Sequence, residues 1–362
     1  MLNQYYEQGL AAFCAREFER AISFFQEVLR VESCHLEATR LMAWACIELG
    51  WYEEAVRGCD KLIALNYQVM TALYNKGVVL LGQMRLLEAK ICFEKIDSHD
   101  PNYINAQINL AVLHLKLGNN KKSVFYYQKV LSILPGHEHA NYMIAALTGK
   151  NIFKKTPKEF IQQLYAAYAA NYEYDMLGQL NYRVPELLKN FFLKHSMLKN
   201  NLKSVLDLGC GTGLAGQCFK PFAKELIGVD LSLEMLQKSK EKNIYEELHC
   251  MQMEQYLLTC NKKFDLVYAS DSLIYTGDLS HLFSLVQAVL LPKSYFLFSV
   301  EAKEENNISY RLNETGRFSH ELSYLGDLAK KAAWEWLARD SVVLRTQHDE
   351  SVQGFLVLLG RD

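Results

Sequence analysis

Asp207 stands two residues ahead of three alternating glycines, in the order Asp207-x-Gly209-x-Gly211-x-Gly213. Glycines so spaced let a backbone turn tightly and approach a ligand closely. A strand that runs through such a turn into a helix is the arrangement that holds nucleotide-like ligands. A dinucleotide fingerprint requires glycine at 214, where Leu214 stands, and a phosphate loop requires Gly-Lys-Ser/Thr, which the chain lacks. An acid just ahead of the first glycine suits a ligand with a cationic end better than a pyrophosphate. Asp230, at the end of the next expected strand, suits a ribose diol, because one carboxylate accepts from both hydroxyls.

A second set of reactive side chains follows the later strands: Asp271, Tyr275, Glu301, Tyr310, Arg311, Arg317 and His320. His320 is a candidate general base, or a histidine at a helix start bonded to nearby backbone. Asp271 faces an acceptor or caps its turn, and Glu301 has a site role or a surface ion pair. Arg311 and Arg317 receive a substrate carboxylate or remain solvated. The pair Trp334 and Trp336 is read as packing.

The elements that position these residues alternate between strand and helix. Strands are expected at 204–208, 225–229, 248–251, 264–269, 295–300, 341–345 and 354–359. Helices are expected at 214–222, 233–242, 254–259, 279–290 and 320–336. Such alternation builds an open parallel sheet with helices on both faces, and its ligand lies beyond the carboxyl ends of the strands. The last two strands, separated by a short turn, are expected to be antiparallel.

The first half follows another rule. Ala21, Ala55, Ala89 and Ser123 are 34 residues apart, as are Phe25, Cys59, Phe93 and Tyr127, and Val28, Leu62, Ile96 and Val130. Gly9, Ala43, Gly77 and Ala111 precede the alanine series by twelve positions, and Pro101 and Pro135 close two of the copies. This period describes a helical hairpin used four times: small residues where helices cross, large ones between repeats, and proline where a helix ends. His139–Leu147 is expected to cap the stack, with connecting helices at Phe160–Tyr172 and Glu186–Leu198.

Composition narrows the function. Half the 362 residues are apolar and the net charge is −2. Basic and acidic residues number 15 and 15 up to residue 150, then 24 and 26. Neither half has the basic excess of a nucleic-acid binder. The nine cysteines form no CxxC pair, which argues against a metal site and a disulfide framework. The first ten residues lack a signal-peptide pattern, and the apolar run near Leu282–Leu291 stops at Pro292, so the chain reads as cytoplasmic and not membrane-bound.

Residues 2–137 resemble the tetratricopeptide repeat family. The implied groove positions are Tyr6, Leu10, Phe13, Arg40, Trp44, Tyr74, Val78, Ile108 and Val112. They would take a peptide or protein ligand, or pack against this protein's own second half. Residues 160–362 resemble the class I S-adenosylmethionine-dependent methyltransferases, most closely those with N-terminal tetratricopeptide repeats. The resemblance rests on the glycine turn and Asp230, on Tyr168-Ala169-Ala170 through Asp175 to Tyr182-Arg183-Val184-Pro185, and on Gly316-Arg317-Phe318-Ser319-His320 and Gly354-Phe355-Leu356.

That resemblance implies a fold of two kinds: an all-α repeat solenoid at 1–148, connecting or lid helices at 149–200, and a Rossmann-like seven-stranded methyltransferase sheet at 201–362. S-adenosylmethionine is the implied cofactor. Gly209 and Gly211 would line its methionine part, with Asp207 near its cationic end. Asp230 would hold its ribose and Leu231 its adenine face, and Tyr168 and Arg183 would close over the methionine end. Gln252, followed by Met253, stands where the family has an acid for the adenine amino group. A glutamine carbonyl accepts the same bond about 1 kcal/mol more weakly. The candidate catalytic residues are His320, Asp271 and Glu301. The stretch 269–273, Ala-Ser-Asp-Ser-Leu, lacks the prolines of base methyltransferases, which leaves a small molecule or a protein side chain as acceptor. The expected function is methyl transfer with the repeats recruiting or positioning the acceptor; the alternative is a repeat scaffold fused to a non-catalytic methyltransferase-like domain.

Overall fold

The computed structural model describes residues 2–150, 153–169, 172–197, 202–303, 308–347 and 350–361. Ala170 of the aromatic-alanine segment and Leu198, the expected end of a connecting helix, lie outside these residues. The chain divides into two compact units, Met1–Ile144 and Ala145–Asp362.

The first unit is a series of antiparallel helix pairs: α1 (Leu2–Cys14) with α2 (Phe18–Val31), α3 (Leu36–Glu48) with α4 (Tyr52–Ala64), α5 (Val69–Gly82) with α6 (Leu86–His99), and α7 (Ile104–Lys116) with α8 (Asn120–Ile133). Every residue of the three 34-residue series is buried. The small residues explain how the pairs close. A Cβ at Gly9 would lie 2.7 Å from the Phe25 ring, and one at Gly77 would lie 2.7 Å from Phe93. In the second pair the sizes are redistributed: Cys59 replaces the phenylalanine, and Ala43 sits where a Cβ on Gly58 would come within 2.7 Å of it. Helix α9 (Glu138–Thr148) follows, one residue longer at each end than expected.

The second unit begins with α10 (Lys158–Tyr168), the short α11 (Tyr172–Tyr174) continued by a π-helical turn over Asp175–Gln179, and α12 (Val184–His195). Then come β1 (Leu202–Leu208), α13 (Leu214–Phe219), β2 (Ala223–Asp230), α14 (Leu233–Glu241), β3 (Glu247–Cys250), α15 (Met253–Thr259), β4 (Phe264–Ala269), α16 (Ser280–Val289) and β5 (Leu290–Ala302). The chain closes with β6 (Tyr310–Leu312), β7 (Phe318–His320), α17 (Leu322–Lys331), β8 (Glu335–Gln347) and β9 (Glu350–Arg361).

Strands run in the order β3-β2-β1-β4-β5, all parallel. β9 joins β5 antiparallel from Ser294 to Glu301, and β8 pairs antiparallel on β9. All seven expected strands are present, the last two antiparallel. Two short ones are added: β7 pairs with β5 at Glu301 and Ala302, and β6 folds back on β7. One expectation is corrected. The helix placed at 320–336 spans only Leu322–Lys331, because Ala333 takes a left-handed φ of 52° and the chain then enters β8 along β9. His320 therefore lies on a strand, and the helix-forming run Ala-Ala-Trp-Glu-Trp is overridden by sheet pairing.

Candidate functional site: a cavity at the carboxyl ends of the strands

β1 ends in the glycine turn, where Gly209, Gly211 and Gly213 have φ of 79°, 54° and 88°. These are left-handed values that side chains other than glycine rarely adopt. A Cβ on Gly209 would collide with Ser272, whereas one on Gly211 would meet only Met235 Cε at 3.6 Å. The turn is thus tight beneath and open above. What it opens onto is a cavity of about 760 Å3, the open solvent at its mouth included.

The walls come from five stretches of chain and from Met235 of α14. The turn contributes Gly209 and Gly211, and the end of β2 contributes Val229, Asp230 and Leu231. Met251, Gln252, Met253 and Glu254 come from the β3–α15 junction, and Ser270, Asp271, Ser272, Tyr275 and Thr276 from the segment after β4. The segment ahead of β1 supplies Lys155, Ile161, Tyr165 and Tyr172. That segment is fastened on both sides. Lys155 Nζ donates to both Glu254 oxygens at 2.6 Å, Thr156 N to Tyr275 O at 2.9 Å, and Gln162 Nε2 to Leu231 O at 3.4 Å.

Asp230 is set by backbone. Gly211 N donates to its Oδ2 at 2.8 Å and Ser232 N to its Oδ1 at 2.9 Å. Burial raises its pKa, and these N–H groups partly oppose the rise. Asp271 lies just past β4 with a left-handed φ of 54°, and Arg345 of β8 donates to both its oxygens, at 3.2 and 3.4 Å. Burial raises the Asp271 pKa, against the pull of Arg345 and Arg317. Tyr165 and Tyr275 share a hydroxyl–hydroxyl hydrogen bond of 2.8 Å, with rings at 86° to each other.

Of the residues expected here, Gly209, Gly211, Asp230, Leu231, Gln252, Met253 and Asp271 line the cavity. Asp207 does not. It is fully buried beneath the turn, where Tyr245 and Tyr268 each donate to its Oδ2 at 2.7 Å. Burial pushes its carboxyl up to about 7 despite those two bonds. Tyr168 is one ring removed, packed edge-on against Tyr172 at 5.5 Å.

Three placements are corrected. Arg183 sits at the start of α12 with 64% of its side chain exposed and Glu186 at 3.8 Å, outside the cavity walls. Glu301 is buried and held by Arg345 Nη2. His320 is fully buried, its Nε2 donating to Thr276 O and Gly277 O at 2.9 and 3.1 Å. Burial lowers its pKa to about 4, and the two carbonyl partners put the neutral ring's proton on Nε2, with the lone pair on the buried Nδ1. Tyr165, Tyr172, Lys155 and Arg345 went unnoticed in the sequence. The first three sit in helical or loop contexts without a motif, and nothing local ties Arg345 to Asp271, 74 positions away.

Residues 176–340 match the methyltransferase domain family model, and residues 104–137 the tetratricopeptide repeat model. The second unit has the S-adenosylmethionine-dependent methyltransferase fold, and tetratricopeptide repeats precede it. S-adenosylmethionine is the cofactor this methyltransferase fold takes. The chain is 31% identical over 98 residues to malonyl-[acyl-carrier protein] O-methyltransferase of Hamiltonella defensa subsp. Acyrthosiphon pisum, covering 27% of this chain and 38% of that one. It is 29% identical over 185 residues to the mitochondrial arginine-hydroxylase NDUFAF5 of Homo sapiens, covering 44% and 52%. The chain thus spans roughly half or less of the length of these relatives. The solved magnesium protoporphyrin IX methyltransferase of Synechocystis PCC 6803 aligns with a TM-score of 0.43 at 13% identity, over 57% of this chain and 97% of that one. Among the described residues of the methyltransferase unit and the repeats, no helix is long and apolar enough to cross a membrane.

Proposed function

We propose that this protein transfers the methyl group of S-adenosylmethionine to a small-molecule or protein acceptor, with the repeat unit recruiting or positioning it. The observation that carries this reading is the open face of the glycine turn beside the Asp230 carboxylate, with apolar walls beyond it. These residues fit the cofactor: Asp230 as acceptor for a diol, Leu231, Met251 and Met253 against a flat base, and Gln252 for the base's amino group.

Bound there, S-adenosylmethionine supplies a methyl group on a positively charged sulfur, ready for in-line displacement. The chain's task is alignment and exclusion of water. Tyr165, Tyr172 and Tyr275 line the same cavity as Asp271. The Asp271 oxygens are held by Arg345 and the His320 imidazole by backbone carbonyls, so the acceptor is expected to arrive with its lone pair available. A second reading, a repeat scaffold fused to a non-catalytic domain, draws on Gln252 standing in place of a charged acceptor.

Calorimetric titration of S-adenosylmethionine and S-adenosylhomocysteine into the full chain separates the two. Micromolar binding, about −8 kcal/mol, weakened at least ten-fold by Asp230→Ala and by Gly211→Val, supports the enzyme. Unchanged affinity in both variants overturns the cofactor placement, and no binding by the unsubstituted chain favours the scaffold.

A further inference from the structure

Several glutamines of this chain have their amides turned one way by a bond. Gln107 Nε2 donates to Asp97 Oδ1 at 2.6 Å, Gln162 Nε2 to Leu231 O at 3.4 Å and Gln287 Nε2 to Ala332 O at 2.6 Å. Gln252 is different. Its backbone is set, because Gln252 O accepts from Tyr256 N at 3.0 Å, yet its side chain does not cap α15. Among the described residues no partner holds its amide in either orientation.

Gln252 also lines the cavity. β2 and β3 pair Asp230 with Cys250, and Met251 N donates to Asp230 O at 3.0 Å. Gln252 therefore stands just beyond the strand partner of the carboxylate that suits a ribose. Leu231, Met251 and Met253, which line the same cavity, are apolar. Glu254, next along, has both oxygens engaged by Lys155 Nζ at 2.6 Å. Of the stretch 251–254, the Gln252 amide is thus the polar side-chain group left to meet the edge of a base.

A primary amide offers an acceptor oxygen and a donor NH2 side by side. Adenine presents a donor, its 6-amino group, beside an acceptor, N1. Hypoxanthine presents the reverse, a 6-oxo acceptor beside the N1–H donor. An amide matches the first edge in one orientation and the second after a half-turn about its terminal C–C bond. A carboxylate offers acceptors alone and completes neither pair.

We propose that Gln252 reads the base edge in both orientations, so that the site takes 6-oxopurine ligands such as S-inosylhomocysteine as well as the 6-aminopurine cofactor. This rests on the reading of the cavity as the cofactor site.

The test is calorimetric titration of S-adenosylhomocysteine and S-inosylhomocysteine into the full chain. The two are expected to bind within about five-fold of each other. Gln252→Met keeps the side-chain length and removes both polar atoms, and is expected to weaken each ligand about ten-fold. Gln252→Ala serves instead should the methionine variant fail to fold. A preference for either ligand beyond about five-fold in the unsubstituted chain overturns the proposal. So does a substitution that weakens one ligand alone, or neither. Each of these results leaves the cofactor site standing, because S-adenosylhomocysteine still binds the unsubstituted chain. Failure of S-adenosylhomocysteine to bind that chain overturns both readings.

Discussion

The two units bury different things. Among the described residues the repeat unit buries Thr39, Gln107, His114 and Ser123 as its polar side chains, and no carboxylate, ammonium or guanidinium. The methyltransferase unit buries Asp207, Glu301, Lys303, Glu321 and Arg345. The repeats hold their charges at the surface in pairs such as Arg57–Glu54 and Arg85–Glu88, three residues apart. Their cohesion comes from fitted apolar shapes. Charge inside a protein costs stability unless it is paired. Two of the five, Glu301 and Arg345, form a cluster with Asp271 of the cavity wall, and such a cluster marks where the fold gives up stability for chemistry.

The largest expected effect is at Arg345. Arg345→Met takes from two buried carboxylates the guanidinium that bonds both, leaving Arg317 at 4.0 Å from Glu301 as the nearby cation, and is expected to destabilise the methyltransferase unit by about 3–5 kcal/mol. Urea denaturation followed by circular dichroism measures this. A loss below about 1 kcal/mol would mean that the cluster is hydrated, and the contrast between the units would weaken.

Titration sharpens the same contrast. Asp207 has a folded pKa of about 7, above its ordinary 3.8. The folded state holds that proton where the unfolded state has released it. The stability this group provides is full below about pH 4 and is lost as pH rises towards 7. Between pH 4 and pH 8, Asp207→Asn is expected to gain up to about 4 kcal/mol relative to the unsubstituted protein. A pH-independent difference in thermal stability would show that the carboxyl stays charged throughout.

Shape is the weak point of the other unit. Gly77→Ala drives a methyl to 2.7 Å from the Phe93 ring, and is expected to cost about 1–3 kcal/mol by overpacking. At Gly82, with nothing within 4 Å of the added carbon, alanine is expected to be neutral or slightly stabilising. Equal melting temperatures for the two variants would remove the packing explanation. The smallest effect belongs to the exposed pairs: Arg57→Ala, opposite Glu54 at 2.8 Å, is expected to change stability by less than about 0.5 kcal/mol in the same denaturation assay.

The repeat unit was legible because its determinants are local and periodic. A 34-residue offset brings the same residue types to the same contacts, as the burial of Ala21, Ala55, Ala89 and Ser123 illustrates. The glycine turn was legible for a related reason. Gly209, Gly211 and Asp230 meet through adjacent strands, β1 and β2, so a short stretch of chain determines the pocket floor. Residue types and their spacing along neighbouring elements carry that much.

Other features were decided by tertiary structure. His320 looked available for proton transfer, but pairing of β7 with β5 and β6 sends its ring into backbone carbonyls. Asp207 looked like a ligand contact, but two tyrosines from later elements cover it. Arg345 acquires its role only when β8 and β9 fold back beside β5 and bring it to Asp271 and Glu301. Residue type sets what a side chain can do. Orientation, burial and distant partners set which of those things it does, and these arise from the packing of elements that no local pattern in the sequence encodes.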